Sequence, residues 1–435
     1  MLLPLCFMDA TAAVLIWIWV ALVPPAEMVY GTIFPLLPFN KLVVAGAIFA
    51  MIAAQGRKDF YRDALVIIIT LFTFQVTLSY FLADYTTSNT DVQYDKFWKE
   101  VVLFFFIIGF MYNRHRIHQA VLVICISLGF LMVKEGLIFL LTAGGHKIQG
   151  TGSLGDNNGV ALSLLMVIPL VLYCAKYSAE YWVRVAMYST AGLGLVTVVA
   201  TYSRGGFVGM LAMGVMLLKN SRYKIRAIIA IGAISLLIFA TLPEDYLDRI
   251  NTIRDASSDN SFEIRLLAWK INYMLALDHP FLGVGPYGSL IWENWSSEIG
   301  NAVNYLFPSP LILRTFVAHS IYFQVLGDTG FVGFLLFIGL LGTALWKTVQ
   351  TQKLAKRDPN LEWAGDLARA TQISLVVYLV AGAALSLIYF ELIYIILAIV
   401  SRNHRTARKL ATATESVPEP WLRPRRAAVS YSKVA

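Results

Sequence analysis

Residues 64–83 read ALVIIITLFTFQVTLSYFLA. A charge-free run of this length fits one α-helix across a bilayer, because a helix rises about 1.5 Å per residue and the hydrocarbon core is about 30 Å thick. Comparable apolar runs recur on either side, near 10–24, 39–54, 97–112, 118–142, 158–175, 184–201, 205–218, 225–241, 319–346, 370–386 and 388–401. The whole chain is 58% hydrophobic and only 14% charged, whereas a soluble protein carries charge at about a quarter of its positions. The sequence therefore predicts an all-α polytopic membrane protein with about twelve transmembrane helices. The apolar segment Met1 to Pro25 lacks a basic leader and a small-residue cleavage site, and reads as a retained first span. Cys6, Cys125 and Cys174 show no metal or redox spacing and read as packing residues without a disulfide.

The net charge of +8 might suggest nucleic acid, but its distribution points to a membrane. The short loops Gly56–Arg62, Asn113–Arg116, Lys176–Arg184, Lys219–Arg226 and Lys347–Arg369 are each basic, as is the segment from Arg402. By the positive-inside rule these are cytoplasmic, together with both termini. The opposite, periplasmic side then holds one large excursion, residues 242–318, with nine acidic and five basic residues. The Arg402-Arg405-Arg408-Lys409 cluster favours a tight turn near 386–390, so that the last two runs are separate spans.

No cytoplasmic loop is long enough for a nucleotide-binding domain, whose βαβ units need about thirty residues each. A P-loop is also absent, which counts against nucleotide-driven chemistry. The expected organisation is an N-terminal membrane region at 1–185 and a catalytic region at 186–347 that includes the loop 242–318. C-terminal helices follow at 348–401, then a disordered basic tail at 402–435.

Charged residues at the periplasmic edge are the candidates for chemistry. Arg204 lies in Thr201-Tyr202-Ser203-Arg204-Gly205-Gly206, where Ser203 is a natural N-cap and the glycines would open the first helical amides to an anion. Arg265 and Trp269 share a stripe on a helix expected to open near Asn260 and Glu263 and to lie on the outer membrane surface. His319 begins a span, and a histidine at a helix start favours the neutral form that can accept a proton. Lys99 and Lys147 are basic on the side where basic residues are rare, which suggests an anionic ligand. Asn158, in Gly155-Asp156-Asn157-Asn158, either contacts polar substrate groups or belongs to a helix cap; Arg314 is a further possible substrate contact. The other histidines, among them His118 and His404, are assigned to loops without ligand spacing. No carboxylate cluster suits a metal, so no catalytic metal and no cofactor are expected, and arginines must stabilise developing charge.

Four motifs in order, Ser203-Arg204-Gly205-Gly206, Arg265 with Trp269, His279-Pro280-Phe281-Leu282-Gly283-Val284-Gly285-Pro286, and His319-Ser320 through Leu326-Gly327-Asp328-Thr329-Gly330, resemble the O-antigen ligase and polymerase superfamily over about 188–347. Gly144-Gly145-His146-Lys147 and Gly155-Asp156-Asn157-Asn158 resemble the O-glycosylation ligase subgroup found beside exosortase systems. The chain departs from the usual pattern at Ser320, Asp328 and Lys147, where the family often has Asn, Glu and Arg. The resemblance implies a GT-C-like membrane glycosyltransferase of the bacterial inner membrane. Its partners would be an undecaprenyl-diphosphate-linked glycan donor and an acceptor hydroxyl on a lipid A core, a protein or a growing glycan, with no nucleic acid.

On this reading Arg204 and Arg265 bind the donor diphosphate, with Lys99 and Lys147 as further contacts; diphosphate is the expected leaving group because the basic residues on this side show no acid to pair with in the sequence. His319 takes the acceptor proton for an inverting attack, and the loop 242–318 cradles the acceptor. Alternatives are a glycan polymerase and, from another class, a lipid-linked glycan transporter. The apparent scarcity of charge inside the spans and the absence of an internal repeat count against the transporter.

Overall fold

The computed structural model describes residues 4–23, 39–53, 58–148, 150, 154–220, 260–303 and 314–412. Among these residues the chain is helical, with a single isolated bridge between Gly150 and Asp156 and no strand. After a turn at Leu5–Met8 come α1 (Ala10–Leu22), α2 (Phe39–Ala53), α3 (Ala64–Phe81), α4 (Ser88–Phe110) and α5 (Arg114–Leu141). They are followed by α6 (Asn157–Tyr177), α7 (Tyr181–Ala200), α8 (Arg204–Asn220), α9 (Asn260–Asp278) and α10 (Trp292–Val303). The last are α11 (Ile321–Arg357), α12 (Glu362–Ala381) and α13 (Glu391–Thr412). Helices occupy every apolar run of the sequence except 225–241, which lies outside the described residues. Six are long and apolar enough to cross a membrane: α3, α5, α6, α7, α11 and α12 with its flanking turns. α1 and the apolar part of α2 are shorter.

The helices begin where side chains can satisfy their orphan amides. Asp63 accepts from Val66 N–H at 3.0 Å, Asn113 from Arg116 N–H at 2.9 Å, and Asp156 from Gly159 N–H at 2.9 Å. Helix α6 is central: 89% of its apolar window is buried, against α5, α7, α8 and α12. In α13 every residue from Leu392 to Asn403 is buried, against α4, α11 and α12.

α11 is broken at Gly330 (φ 68°, ψ −171°), and segment 279–286 is laid across the break. Phe331 N–H, displaced from the helical ladder, donates to Pro280 C=O at 2.9 Å. The carbonyls of Gly327 and Asp328 accept from Val284 and Gly285 N–H, both at 3.0 Å, while Thr329 C=O accepts from Gln75 Nε2 of α3 at 3.0 Å. Buried backbone groups freed by a break need such replacements. Gly283 (φ +65°) fits because a Cβ there would stand 2.4 Å from Gly327 O. Two motifs read separately in the sequence are thus one structural joint.

Among the described residues, the basic loops gather at one end of the bundle; 221–226 lie outside them. Asp59 pairs with Arg402 (3.1 Å), Arg405 (3.4 Å) and Lys409 (2.7 Å); Asp63 pairs with Lys347 (2.9 Å); Lys176 pairs with Glu362 (2.9 Å). Three expectations are corrected here. α13 continues to Thr412, so residues 402–412 are helical instead of part of a disordered tail, because Arg402 is buried and ion-paired; 413–435 lie outside the described residues. His404 and His118 sit in helices, the former buried and bonded to Thr351 Oγ1 at 3.0 Å. The helices also hold more charge than the sequence suggested: Glu100, Glu135, Asp328 and Lys347 are all buried.

Candidate active site

At the opposite end, the starts of α6, α8 and α11 meet the connection between α12 and α13. Ser203 caps α8 by accepting from Gly206 N–H at 2.9 Å and donates its own hydroxyl to Asn158 Oδ1 at 2.7 Å. Asn158 Nδ2 in turn donates to Asp156 Oδ2 at 2.8 Å. The first turn of α8, which opens with Arg204, is therefore tied to the first turn of α6. Tyr202, just before the cap, has the left-handed φ of 53° and donates its hydroxyl to Gly144 C=O at 3.1 Å. Such a conformation persists in a bulky residue only where its surroundings enforce it.

His319 has a left-handed φ of 45°, and its amide donates to Ser386 Oγ at 2.7 Å. Burial lowers its imidazole pKa below the ordinary value of 6.5; the charge of Arg265 lowers it further, while that of Asp156 works in the other direction. Arg265 and Asp156 thus both lie within electrostatic reach of His319. Trp269, one turn beyond Arg265 on α9, stacks on Phe323, one turn beyond His319 on α11 (centroids 5.2 Å, planes 9° apart). α9 packs on α10 through Leu267, Ala268, Ile271 and Leu275 against Trp295 and Ile299, and it also packs on α11, whose Gly327 faces Asn272 so closely that a Cβ would lie 2.2 Å from Asn272 Oδ1. This contact fixes the helix that carries Arg265 within electrostatic reach of His319.

Of the residues singled out in the sequence, Arg204, Asn158, Arg265, Trp269 and His319 belong to this end through that chain of contacts. Lys147 joins them: its ammonium lies 5.7 Å from the Tyr202 ring centroid, and Ile148 N–H donates to Ala200 C=O at 3.1 Å. Lys99 does not. It is ion-paired with Asp95 one turn back on α4, so the expected lack of acidic partners fails there. Arg314 is exposed. The expected role of the glycine pair also changes. Gly206 N–H is taken by Ser203, and a Cβ on Gly206 would stand 2.9 Å from Ala161 Cβ, so this glycine serves close packing of α8 on α6. Asp156 caps α6, as one of the two readings of that motif has it.

Sequence reading missed Ser386 and the linking role of Asp156 and Ser203. It also missed a buried polar layer below His319. There Tyr389 donates to Asp328 Oδ2 at 3.1 Å, Tyr287 donates to Ser386 C=O at 3.2 Å, and Lys96 pairs with Glu391 at 3.1 Å. Single tyrosines in apolar runs carry no signal of such pairing, although Glu100 and Asp328 inside apolar runs were visible as anomalies.

Residues 189–338 match the model of a family described as O-antigen ligase, and residues 1–179 match that of a family of unknown function. No curated protein matches the chain. The first match begins within α7 and ends within α11, so it takes in Arg204, Arg265, Trp269 and His319.

Proposed function

We propose that this chain, an O-antigen ligase superfamily protein by its domain at 189–338, transfers a glycan from undecaprenyl diphosphate to an acceptor hydroxyl on the periplasmic face of the bacterial inner membrane. The match at 189–338 supports membrane glycosyl transfer in general terms. One observation carries it: two arginines and a histidine whose proton affinity is reduced lie at one end of the bundle, away from the basic loops.

In the proposed reaction, Arg204 and Arg265 hold the diphosphate through charge-assisted hydrogen bonds and stabilise the charge that grows on it as the glycosidic C1–O bond breaks. Lys147 adds a point charge; Asn158 and Trp269 border the same space. His319 Nδ1 or Nε2 accepts the acceptor's hydroxyl proton as its oxygen bonds to C1, and the lipid diphosphate leaves. Direct displacement inverts the anomeric centre. No metal is required, because the guanidinium groups supply the charge.

Reconstituted protein with purified lipid-linked glycan and candidate acceptors tests the reading. Transfer to lipid A core or to a protein Ser/Thr, undiminished by EDTA and inverted at C1, supports it. Long glycan from donor alone would identify a polymerase. Donor crossing the bilayer with no glycosidic bond made would identify a transporter.

A further inference from the structure

At the end of the bundle remote from His319 there is a cavity of about 300 Å³ between the start of α3, the middle of α11 and the end of α13. Lys347 lies 16 residues beyond Phe331, where α11 resumes after its break at Gly330, which is about 24 Å of helix. The cavity and the candidate active site therefore lie at opposite ends of the bundle. Arg62, Lys347, Arg405, Arg408 and Lys409 line it, with His404.

The local carboxylates are already engaged. Asp63 accepts from Val66 N–H on one oxygen and from Lys347 and Ser401 on the other, both at 2.9 Å. Asp59 serves Arg402, Arg405 and Lys409 together. Arg62 and Arg408, both exposed, pair with no carboxylate among the described residues. Six cationic side chains, Arg62, Lys347, Arg402, Arg405, Arg408 and Lys409, thus face two acids. Lys347 and Arg402 are only 4% and 1% exposed, so their positions are fixed by packing. Burial and the neighbouring charges of Lys347 and Arg408 push the His404 pKa down to about 4, so the ring is neutral and adds no repulsion. Charges this close lie well within a Debye length of about 8 Å, and their mutual repulsion favours a bound anion.

We infer that this cavity is a second binding site, which takes a phosphate group between Arg62, Arg405, Arg408 and Lys347. Arginine forks match phosphate oxygens in pairs, and a cavity of this size admits a single phosphate-bearing headgroup but no polymer. The phosphate comes either from an anionic lipid headgroup or from free phosphate. The site is independent of the reaction proposed above.

The test uses the full chain. In detergent, unfolding is followed while inorganic phosphate is raised at constant ionic strength with chloride; separately, native mass spectrometry counts phosphatidylglycerol retained from mixed phosphatidylglycerol and phosphatidylcholine nanodiscs. Arg62→Gln/Arg408→Gln removes the two cations without an acidic partner and leaves the ion pairs of Asp59 and Asp63 intact. Arg357→Gln, an exposed cation outside the cavity, controls for general charge. A saturable response to phosphate, weakened about tenfold or more in the double variant and unchanged in the control, supports the site with free phosphate as the source. Selective retention of phosphatidylglycerol, lost in the double variant and kept in the control, supports it with lipid as the source. Binding equal in wild type and double variant, or no saturable binding of either probe, overturns it.

Discussion

His319 combines a left-handed backbone, an amide fixed on Ser386 and an imidazole that burial and Arg265 keep neutral. A neutral ring can accept a proton, and its lowered pKa means that protonation stops the reaction only at a pH below 6.5. The acid limb of kcat/KM therefore falls below that pH. Asp156 raises the pKa of His319, so Asp156→Asn moves the limb to still lower pH; a pH–rate profile unchanged by that substitution contradicts the electrostatic link. His319→Ala lowers transfer by about 100-fold or more with unchanged size-exclusion behaviour, the usual loss when a general base is removed. At this scale the sequence exposed the charged side chains but not their company. Arg204, Arg265 and His319 stood out because charge at a membrane edge is costly, whereas Ser386 is one serine among many, and its bond to His319 spans 67 residues. The acidic partner of Lys99, Asp95 one turn away, was overlooked in favour of its unusual topological side.

At the level of elements, the joint between the broken α11 and segment 279–286 fixes where the candidate site stands. Gly283→Ala forces both an unfavourable φ and a Cβ 2.4 Å from Gly327 O. We expect a loss of about 2–4 kcal/mol from these two effects together, read as a lower unfolding temperature in detergent; a wild-type midpoint counts against the joint. The sequence displayed both glycine-rich motifs, and apolar run length located the helices well. It did not show that the motifs dock on each other, since that pairing depends on backbone hydrogen bonds and not on side-chain pattern. The continuation of α13 to Thr412 was hidden for a related reason. Arg402, Arg405 and Lys409 look like a solvated basic tail until Asp59, some 340 residues away, is brought to them.

Across the whole molecule, the two ends divide the labour: ion pairs close the basic end, and the candidate site occupies the other. Arg402 is 1% exposed and relies on Asp59. Asp59→Asn leaves that guanidinium buried without its carboxylate, at a cost of about 3–5 kcal/mol, measured as a fall in unfolding temperature; an unshifted midpoint would show that its other contacts, the Tyr61 ring centroid at 5.1 Å and Met111 C=O accepting from Nε at 3.1 Å, suffice. Although burial pushes the Asp59 pKa up, Lys409, Arg402 and Arg405 hold it down at about 2. The stabilisation is therefore complete above the ordinary carboxylate value of 3.8 and disappears as pH falls through about 2. Four of the loops that the sequence assigns to one face by their charge, 56–62, 113–116, 176–184 and 347–369, are gathered here, while 221–226 of the fifth lie outside the described residues.

The account rests on the proposal that Arg204, Arg265 and His319 together hold a diphosphate. Calorimetric titration of the intact protein in nanodiscs with a short polyprenyl diphosphate tests this most directly. The expected result is saturable binding that weakens at least about tenfold in Arg204→Gln and in Arg265→Gln, and stays unchanged in Lys99→Gln. Equal affinity in all four proteins, or loss only in Lys99→Gln, would contradict it.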